Sequence, residues 1–171
     1  MTLLETDRLL FRKHEPNDVD AYCAMEMDPD ARRYVGGKPR TREEAEKRFF
    51  PTLQPIVNNL SMWATIYKPE NQYIGRCGIY PHFDRAGNPI PGEAALGLYI
   101  AQTYWGRGLA TEAGHAFIDF GFNKLDIKRI VTSIQVGNNA SVRVIEKLGF
   151  ALEYAEPGSP RSFLHYELKI T

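Results

Sequence analysis

The chain has 171 residues, 43% of them hydrophobic and 25% charged, which fits a single domain over residues 1–171 with an ordinary core. Lys+Arg and Asp+Glu balance at 21 each, so the overall charge points neither to nucleic acid nor to an anionic membrane. Cys23 and Cys77 stand far apart and outside metal-ligand spacing, and no apolar run approaches membrane-spanning length, so a cytoplasmic protein without a disulfide framework is expected.

In chain order, Leu9–Arg12 reads as a first strand, and Pro16-Asn17-Asp18 opens a helix that runs through Ala21, Tyr22 and Met25. Gly36-Gly37-Lys38-Pro39 breaks the chain. Thr41 with Glu44 three residues on forms a capping box, and Ala45, Phe49 and Leu53 mark the inner face of the helix it starts. Pro51 and Pro55 bend or divide that segment. Met62–Tyr67 and Tyr73–Tyr80 read as a hairpin about Lys68–Asn71, and His82–Gly92, with prolines and Gly87-Asn88, as a long loop.

Beyond that loop the order changes: strand Ala94–Ala101, helix Thr111–Lys124, strand Ile130–Val136 and helix Ala140–Leu148. A strand, helix, strand crossover places its two strands in parallel. Gly149 stands where a helix C′ residue is expected, and Phe150–Tyr154 and Ser162–Lys169 close the chain as strands joined by Pro157-Gly158-Ser159-Pro160. The pattern as a whole is a mixed α/β domain.

Tyr104-Trp-Gly-Arg-Gly-Leu-Ala-Thr111 puts Gly106 and Gly108 just ahead of a helix. The first N–H groups of a helix lack internal partners and carry the positive end of its dipole, so a bare backbone there suits a phosphate, with Arg107 adding a full charge. The plainer alternative is a strand-to-helix turn that only needs positive φ. Thr111 stands where a dinucleotide fingerprint requires a third glycine, and no Gly-Lys-Ser/Thr run supplies a P-loop.

Ile100-Ala-Gln-Thr-Tyr-Trp-Gly-Arg-Gly-Leu-Ala110 resembles the acyl-CoA pyrophosphate loop of the GNAT N-acetyltransferases, V-x-x-x-x-[QR]-x-x-G-x-[GA], matching it at Ile100, Gly108 and Ala110. Gly137-Asn-Asn-Ala-Ser141 and Glu146-Lys-Leu-Gly-Phe150 are similar to the family's N-x-A-S and E-K-L-G-F stretches, and Glu5-Thr-Asp-Arg-Leu9 to the opening of the RimJ/RimL-type branch. Trp105 departs from the pattern's Gln or Arg. The resemblance implies a mostly antiparallel sheet of about seven strands, flanked by helices and splayed between the fourth and fifth. It further implies acetyl-CoA as cosubstrate, its arm along Leu98, Tyr99 and Ile100 and its pyrophosphate on the amides of Gly106, Arg107, Gly108, Leu109, Ala110 and Thr111. Asn138 either bonds the arm or caps the helix it precedes.

Attack on a thioester needs a neutral amine, a donor for the carbonyl oxygen and a proton for the thiolate. By period-2 alternation Glu93 shares a face with Ala95, Gly97 and Tyr99, and it is a base acting through water or a solvated carboxylate. Related enzymes often carry glutamate at the position of Ala95. An α-amine with pKa near 8 is roughly one-tenth neutral at pH 7, whereas a lysine side chain is about one part in a few thousand neutral, so a weak base favours a peptide N-terminus or a similar amine. A main-chain N–H near Tyr99 is the natural oxyanion donor. By its place in N-x-A-S, Ser141 is the proton donor to the sulfur or simply starts the helix, and Tyr154 is a second hydroxyl.

His14, His82, His115 and His165 show no metal-ligand spacing; His82 borders the expected acceptor pocket. The expected acceptor is an amine on a peptide or small molecule, with no nucleic acid, membrane or metal, and the protein a monomer or homodimer. The second reading is a CoA-binding sensor that lacks turnover.

Overall fold

The computed structural model describes residues 1–158 and 161–170. Its strands are β1 (Thr2–Glu5), β2 (Leu9–Arg12), β3 (Ser61–Tyr67), β4 (Gln72–Phe83), β5 (Pro89–Ile100), β6 (Arg129–Gln135), β7 (Ala151–Glu156) and β8 (Phe163–Lys169), in one sheet of order β1-β2-β3-β4-β5-β6-β8-β7. Every neighbouring pair is antiparallel except β5 and β6, which the crossover helix makes parallel. The helices are α1 (Val19–Met27), α2 (Pro29–Arg32), α3 (Arg42–Phe49), α4 (Leu109–Lys124) and α5 (Asn139–Lys147).

Two sequence expectations are corrected. The sheet has eight strands, because Thr2–Glu5 pairs with Leu9–Arg12; four residues are too few for alternation to show in sequence. His82–Gly92 is no long loop: β4 runs on to Phe83, β5 begins at Pro89, and Asp84–Asn88 turn between them, with Asp84 Oδ1 accepting from the N–H groups of Ala86 and Asn88, each at 2.9 Å. Pro89 and Pro91 obscured this strand, since a proline is allowed where it has no ladder bond to donate. Of the Pro157–Pro160 turn, Ser159 and Pro160 lie outside the described residues.

The capping box is made in full: Glu44 N–H donates to Thr41 Oγ1 at 3.2 Å and Thr41 N–H to Glu44 Oε2 at 2.8 Å. Pro51 falls in a short 3-10 turn, Phe50–Leu53, that follows α3.

Alternation along β4 and β5 splits the core. Ile74, Ala94, Leu96 and Ile100 face α4, whose Leu109, Ala113 and Phe117 bury against them. Tyr73 and Tyr99 belong to the opposite cluster with Tyr22 of α1 and Phe49 of α3. Each fully buried Phe or Leu contributes about 1.5–3 kcal/mol over its exposed state, which holds the two helical layers to the sheet.

Candidate active site

Parallel pairing of β5 with β6 covers only Glu93 with Arg129, Ala94 with Ile130 and Ala95 with Val131. One residue further the strands part, and Thr132 Oγ1 donates to the Leu96 carbonyl at 3.2 Å across the start of the gap. Two residues along the same edge, Leu98 lies beyond the last β6 partner, and by alternation from Leu96 its main-chain groups face the opening. A cavity of about 880 Å³ passes through this gap, with Leu98, Ala110 and Ser141 on one side of the sheet and Arg76, Tyr80 and His82 on the other.

At the mouth of the gap stands the N-terminus of α4. Gly106 and Gly108 have φ of +73° and +76°, and Gly108 is the N-cap with no side chain to bond the first turn. None of the amides from Gly106 to Thr111 has an acceptor among the described residues, and a Cβ on Gly106 would meet open space. The positive-φ turn and the anion-ready helix end are therefore one structure. Trp105 Nε1 donates to the Ile100 carbonyl at 2.7 Å, tying the loop to the end of β5 in place of the family's usual residue. Arg107 stacks on Tyr104 at 4.8 Å and donates to the Thr103 carbonyl at 3.1 Å.

The β1–β2 turn braces this end. Glu112, in the first turn of α4, accepts from Thr6 Oγ1 at 2.5 Å, Arg8 N–H at 3.0 Å and Arg8 Nε at 2.7 Å, while Arg8 Nη1 donates to the Arg107 carbonyl at 3.0 Å. Burial pushes the Glu112 carboxyl up, but Thr6 and Arg8 outweigh it and hold it below the usual carboxylate range. Thr6 and Arg8 lie in the Glu5–Leu9 stretch, which thus has a mechanical reason to accompany the loop.

Asn138 caps α5: its Oδ1 accepts from Ser141 N–H at 3.3 Å, so the capping alternative is filled, and both residues line the cavity. Tyr154 lines it as well and stacks on His165 at 4.3 Å.

Glu93 is bound, not solvated. Its Oε2 accepts from His82 Nδ1 at 2.7 Å and from Arg129 Nη1 at 2.9 Å. His82 lines the large cavity, whereas Glu93 faces a smaller one beside Pro91 and Leu125. Arg129 also donates to Glu153 at 2.8 Å and Glu167 at 2.7 Å. At the other end of β4, Arg76 is sandwiched between the rings of Tyr22 at 4.6 Å and Tyr99 at 4.4 Å. Sequence reading passed over Arg76 and Arg129. The available signal was a lone charge inside the apolar run Ile74-Gly-Arg-Cys-Gly-Ile79.

Cys23 and Cys77 are buried and free, and burial pushes the Cys77 thiol up to about 11, so neither offers a thiolate. His115 is exposed on α4. Among the described residues no group of His, Cys, Asp and Glu is placed to hold a metal ion, and no helix is long and apolar enough to cross a membrane.

A sheet parted beside a glycine-led helix end defines the class of fold, one whose geometry suits an extended anionic molecule. The family model for the acetyltransferase (GNAT) domain matches residues 8–151. The chain belongs to this family of acetyltransferases. It is 30% identical over 159 residues to Uncharacterized N-acetyltransferase p20 of Bacillus licheniformis, covering 90% of this chain and 84% of the relative. In fold it is similar to a GNAT-family acetyltransferase from Bacillus anthracis, with TM-score 0.84, 23% identity and coverage of 99% and 98%. It is also similar to RimL, the ribosomal L7/L12 alpha-N-protein acetyltransferase, solved in complex with coenzyme A, with TM-score 0.81, 18% identity and the same coverage.

Proposed function

We propose that this acetyltransferase moves an acetyl group from acetyl-CoA to a primary amine of a peptide N-terminus or small molecule, as a RimJ/RimL-like cytoplasmic enzyme, monomeric or homodimeric. The observation that carries the reading is the junction of two features: unpartnered amides from Gly106 to Thr111 at one end of a cavity that threads the parted strands to the opposite face of the sheet.

Acetyl-CoA fits the residues present. The six amides and the helix dipole suit its diphosphate, with Arg107 beside them, and the exposed edge at Leu98, between Ile100 and the parting point, suits its amide-bearing arm, with Tyr99 on the opposite face. Bound there, it supplies the acetyl group as a thioester.

The chain's own groups then have distinct tasks. Glu93 accepts a hydrogen bond from His82 Nδ1, which in the neutral imidazole puts the lone pair on Nε2, where it can take the amine's proton; Glu93 thereby orients the base in place of being it. The Leu98 N–H faces the gap as the donor for the carbonyl oxygen. The Ser141 hydroxyl donates to the departing sulfur, for which a neutral donor suffices because a thiol pKa lies near 8.5. Asn138 holds the turn that presents Ser141. Ala95 in place of the family's frequent glutamate is the one feature that favours a CoA-binding sensor, and the His82–Glu93 pair supplies what that position lacks.

Calorimetric titration with CoA, paired with mass detection of acetylated products from an amine panel, tests this directly. Binding and turnover are expected together. Gly108→Val, which strains a φ of +76° and covers the loop amides, should weaken CoA at least tenfold. Absence of binding heat overturns the reading; tight binding with no product from any amine gives the sensor.

A further inference from the structure

The acceptor end of the cavity has an unbalanced charge. Glu26, fully buried in α1, accepts from Arg76 Nη2 at 2.5 Å through Oε1 and from Arg40 Nε at 2.6 Å through Oε2, with Arg32 Nη1 at 3.4 Å. One carboxylate thus faces three guanidinium groups. Arg76 Nη1 is buried with no hydrogen-bond partner among the described residues. Arg48 of α3 lines the same cavity, and no hydrogen bond or ion pair engages it among the described residues. Among the described residues the only carboxylate lining the cavity, Glu153, is at the far end and already on Arg129.

That far end has the opposite sign. Arg129 is surrounded by Glu93, Glu153 and Glu167, of which Glu93 also holds His82 and Glu167 also pairs with Lys169, leaving three carboxylates against two permanent cations. On β4 and β5 the two ends are ordered: Arg76 pairs with Tyr99, Tyr80 with Ala95, and His82 follows. The strand gap opens at Leu96, three residues from Tyr99, or about 10 Å of strand. His82 is six residues from Arg76 along β4, about 20 Å of strand, so an amine seated at the gap, midway between them, has a cationic wall roughly 10 Å away.

We infer that the acceptor carries a carboxylate several bonds from its reacting amine, received by Arg48 and Arg76, as in an ω-amino acid or a peptide with an acidic residue near its N-terminus. A polyamine is disfavoured, because its second cation faces Arg48 and Arg76 without a counter-charge. The spare hydrogen-bonding capacity of Arg76 gives the carboxylate a directional partner, and a guanidinium held between aromatic rings loses little further freedom in bonding it. This inference rests on the acetyl transfer proposed above.

The test uses pairs differing only in that charge, with saturating acetyl-CoA: 6-aminohexanoate against 6-aminohexanamide, Ala-Glu-Ala-amide against Ala-Gln-Ala-amide, and spermidine. The carboxylate member of at least one pair should have kcat/KM at least tenfold above its amide, and which pair shows it separates the two sources. Arg48→Gln, an exposed position, should erase that preference by raising KM for the carboxylate member while leaving KM for acetyl-CoA unchanged. Calorimetry of the same pairs with CoA-loaded protein gives an independent readout. Equal values within both pairs in kinetics and in calorimetry, or spermidine as the best acceptor, overturns the inference while leaving acetyl transfer standing; failure to bind CoA overturns the function itself.

Discussion

The two ends of the sheet face that carries Arg76 and His82 are electrostatic inverses. At one, Glu26 is wholly buried under Arg32, Arg40 and Arg76; at the other, Arg129 is held by Glu93, Glu153 and Glu167 with each side chain 20–36% exposed. Burial raises Glu26's pKa, but Arg76, then Arg40 and Arg32, prevail and keep it below the usual carboxylate range. Equal numbers of ion pairs therefore do different things. The Glu26 hub is dry and relies on its partners, with Arg40 alone among them 26% exposed, whereas around Arg129 water shares the task with hub and partners alike.

The strongest way to break the comparison is to remove each hub. Glu26→Ala leaves the buried Arg32 and Arg76 and the part-exposed Arg40 with no counter-charge and should cost about 3–5 kcal/mol of unfolding free energy. Arg129→Ala leaves three partly hydrated carboxylates, of which Glu167 keeps Lys169 and Glu93 keeps His82, and should cost about 1 kcal/mol. Urea unfolding of both variants measures the difference, and similar losses would refute the division into dry and wet clusters.

A histidine marks each end, and the first sharpens the contrast through pH. His14 is buried beside Tyr22, Phe49 and Tyr73, with Tyr73 Oη 3.4 Å from Nε2. Burial lowers its pKa to about 4, opposed by Asp18 and assisted by Arg76 and Arg12. The unfolded chain, with an imidazole near 6.5, binds the proton more readily than the folded one, so the stability this residue confers is present above about pH 6.5 and is lost as pH falls to about 4. The full span is roughly 3 kcal/mol. The difference in urea stability between wild type and His14→Gln should shrink by most of that amount between pH 7 and pH 4.5; a difference independent of pH would show that folding leaves the His14 pKa where the unfolded chain has it.

What was legible in the sequence follows the same division. The α4 end is built from backbone, and backbone demands leave a mark in one stretch: Gly106 and Gly108 ahead of an apolar helix, followed by Asn138 and Ser141 where α5 begins. The parallel crossover and the parting of its strands could be expected from that stretch and its resemblance. The acceptor face is built from side chains brought together from α1, α2, α3, β4 and β6, so Glu26, Arg40 and Arg76 carry no local pattern. Glu93 was singled out for its face of β5, but its partners were not visible, because the hairpin that sets His82 beside it read as a loop. Prolines at 81, 89 and 91 concealed it. They sit where β4 and β5 shift register between Pro81 and Phe83, a place at which missing N–H groups are tolerated.

His82 is the counterpart of His14 at the anionic end, and its test asks whether the wet cluster does chemistry. Its Nδ1 is held by Glu93 while the ring lines the cavity, an arrangement suited to moving a proton; His14 is packed among aromatic rings and kept neutral. His82→Gln should reduce kcat about a hundredfold, the lower end of what a positioned base contributes. The loss should also depend on the acceptor. Without the base only amine that is already neutral reacts, so amines with pKa near 10.4 lose most and α-amines near 8 lose least. Glu93→Gln keeps an acceptor for Nδ1 but not its charge and should give a smaller loss with the same ordering. Calorimetric CoA affinity should stay unchanged in both variants, separating proton transfer from damage to the fold. A loss that is uniform across acceptors, or below threefold, would leave the anionic end a structural ion-pair cluster like its buried inverse and return the choice of acceptor to the amine's own basicity.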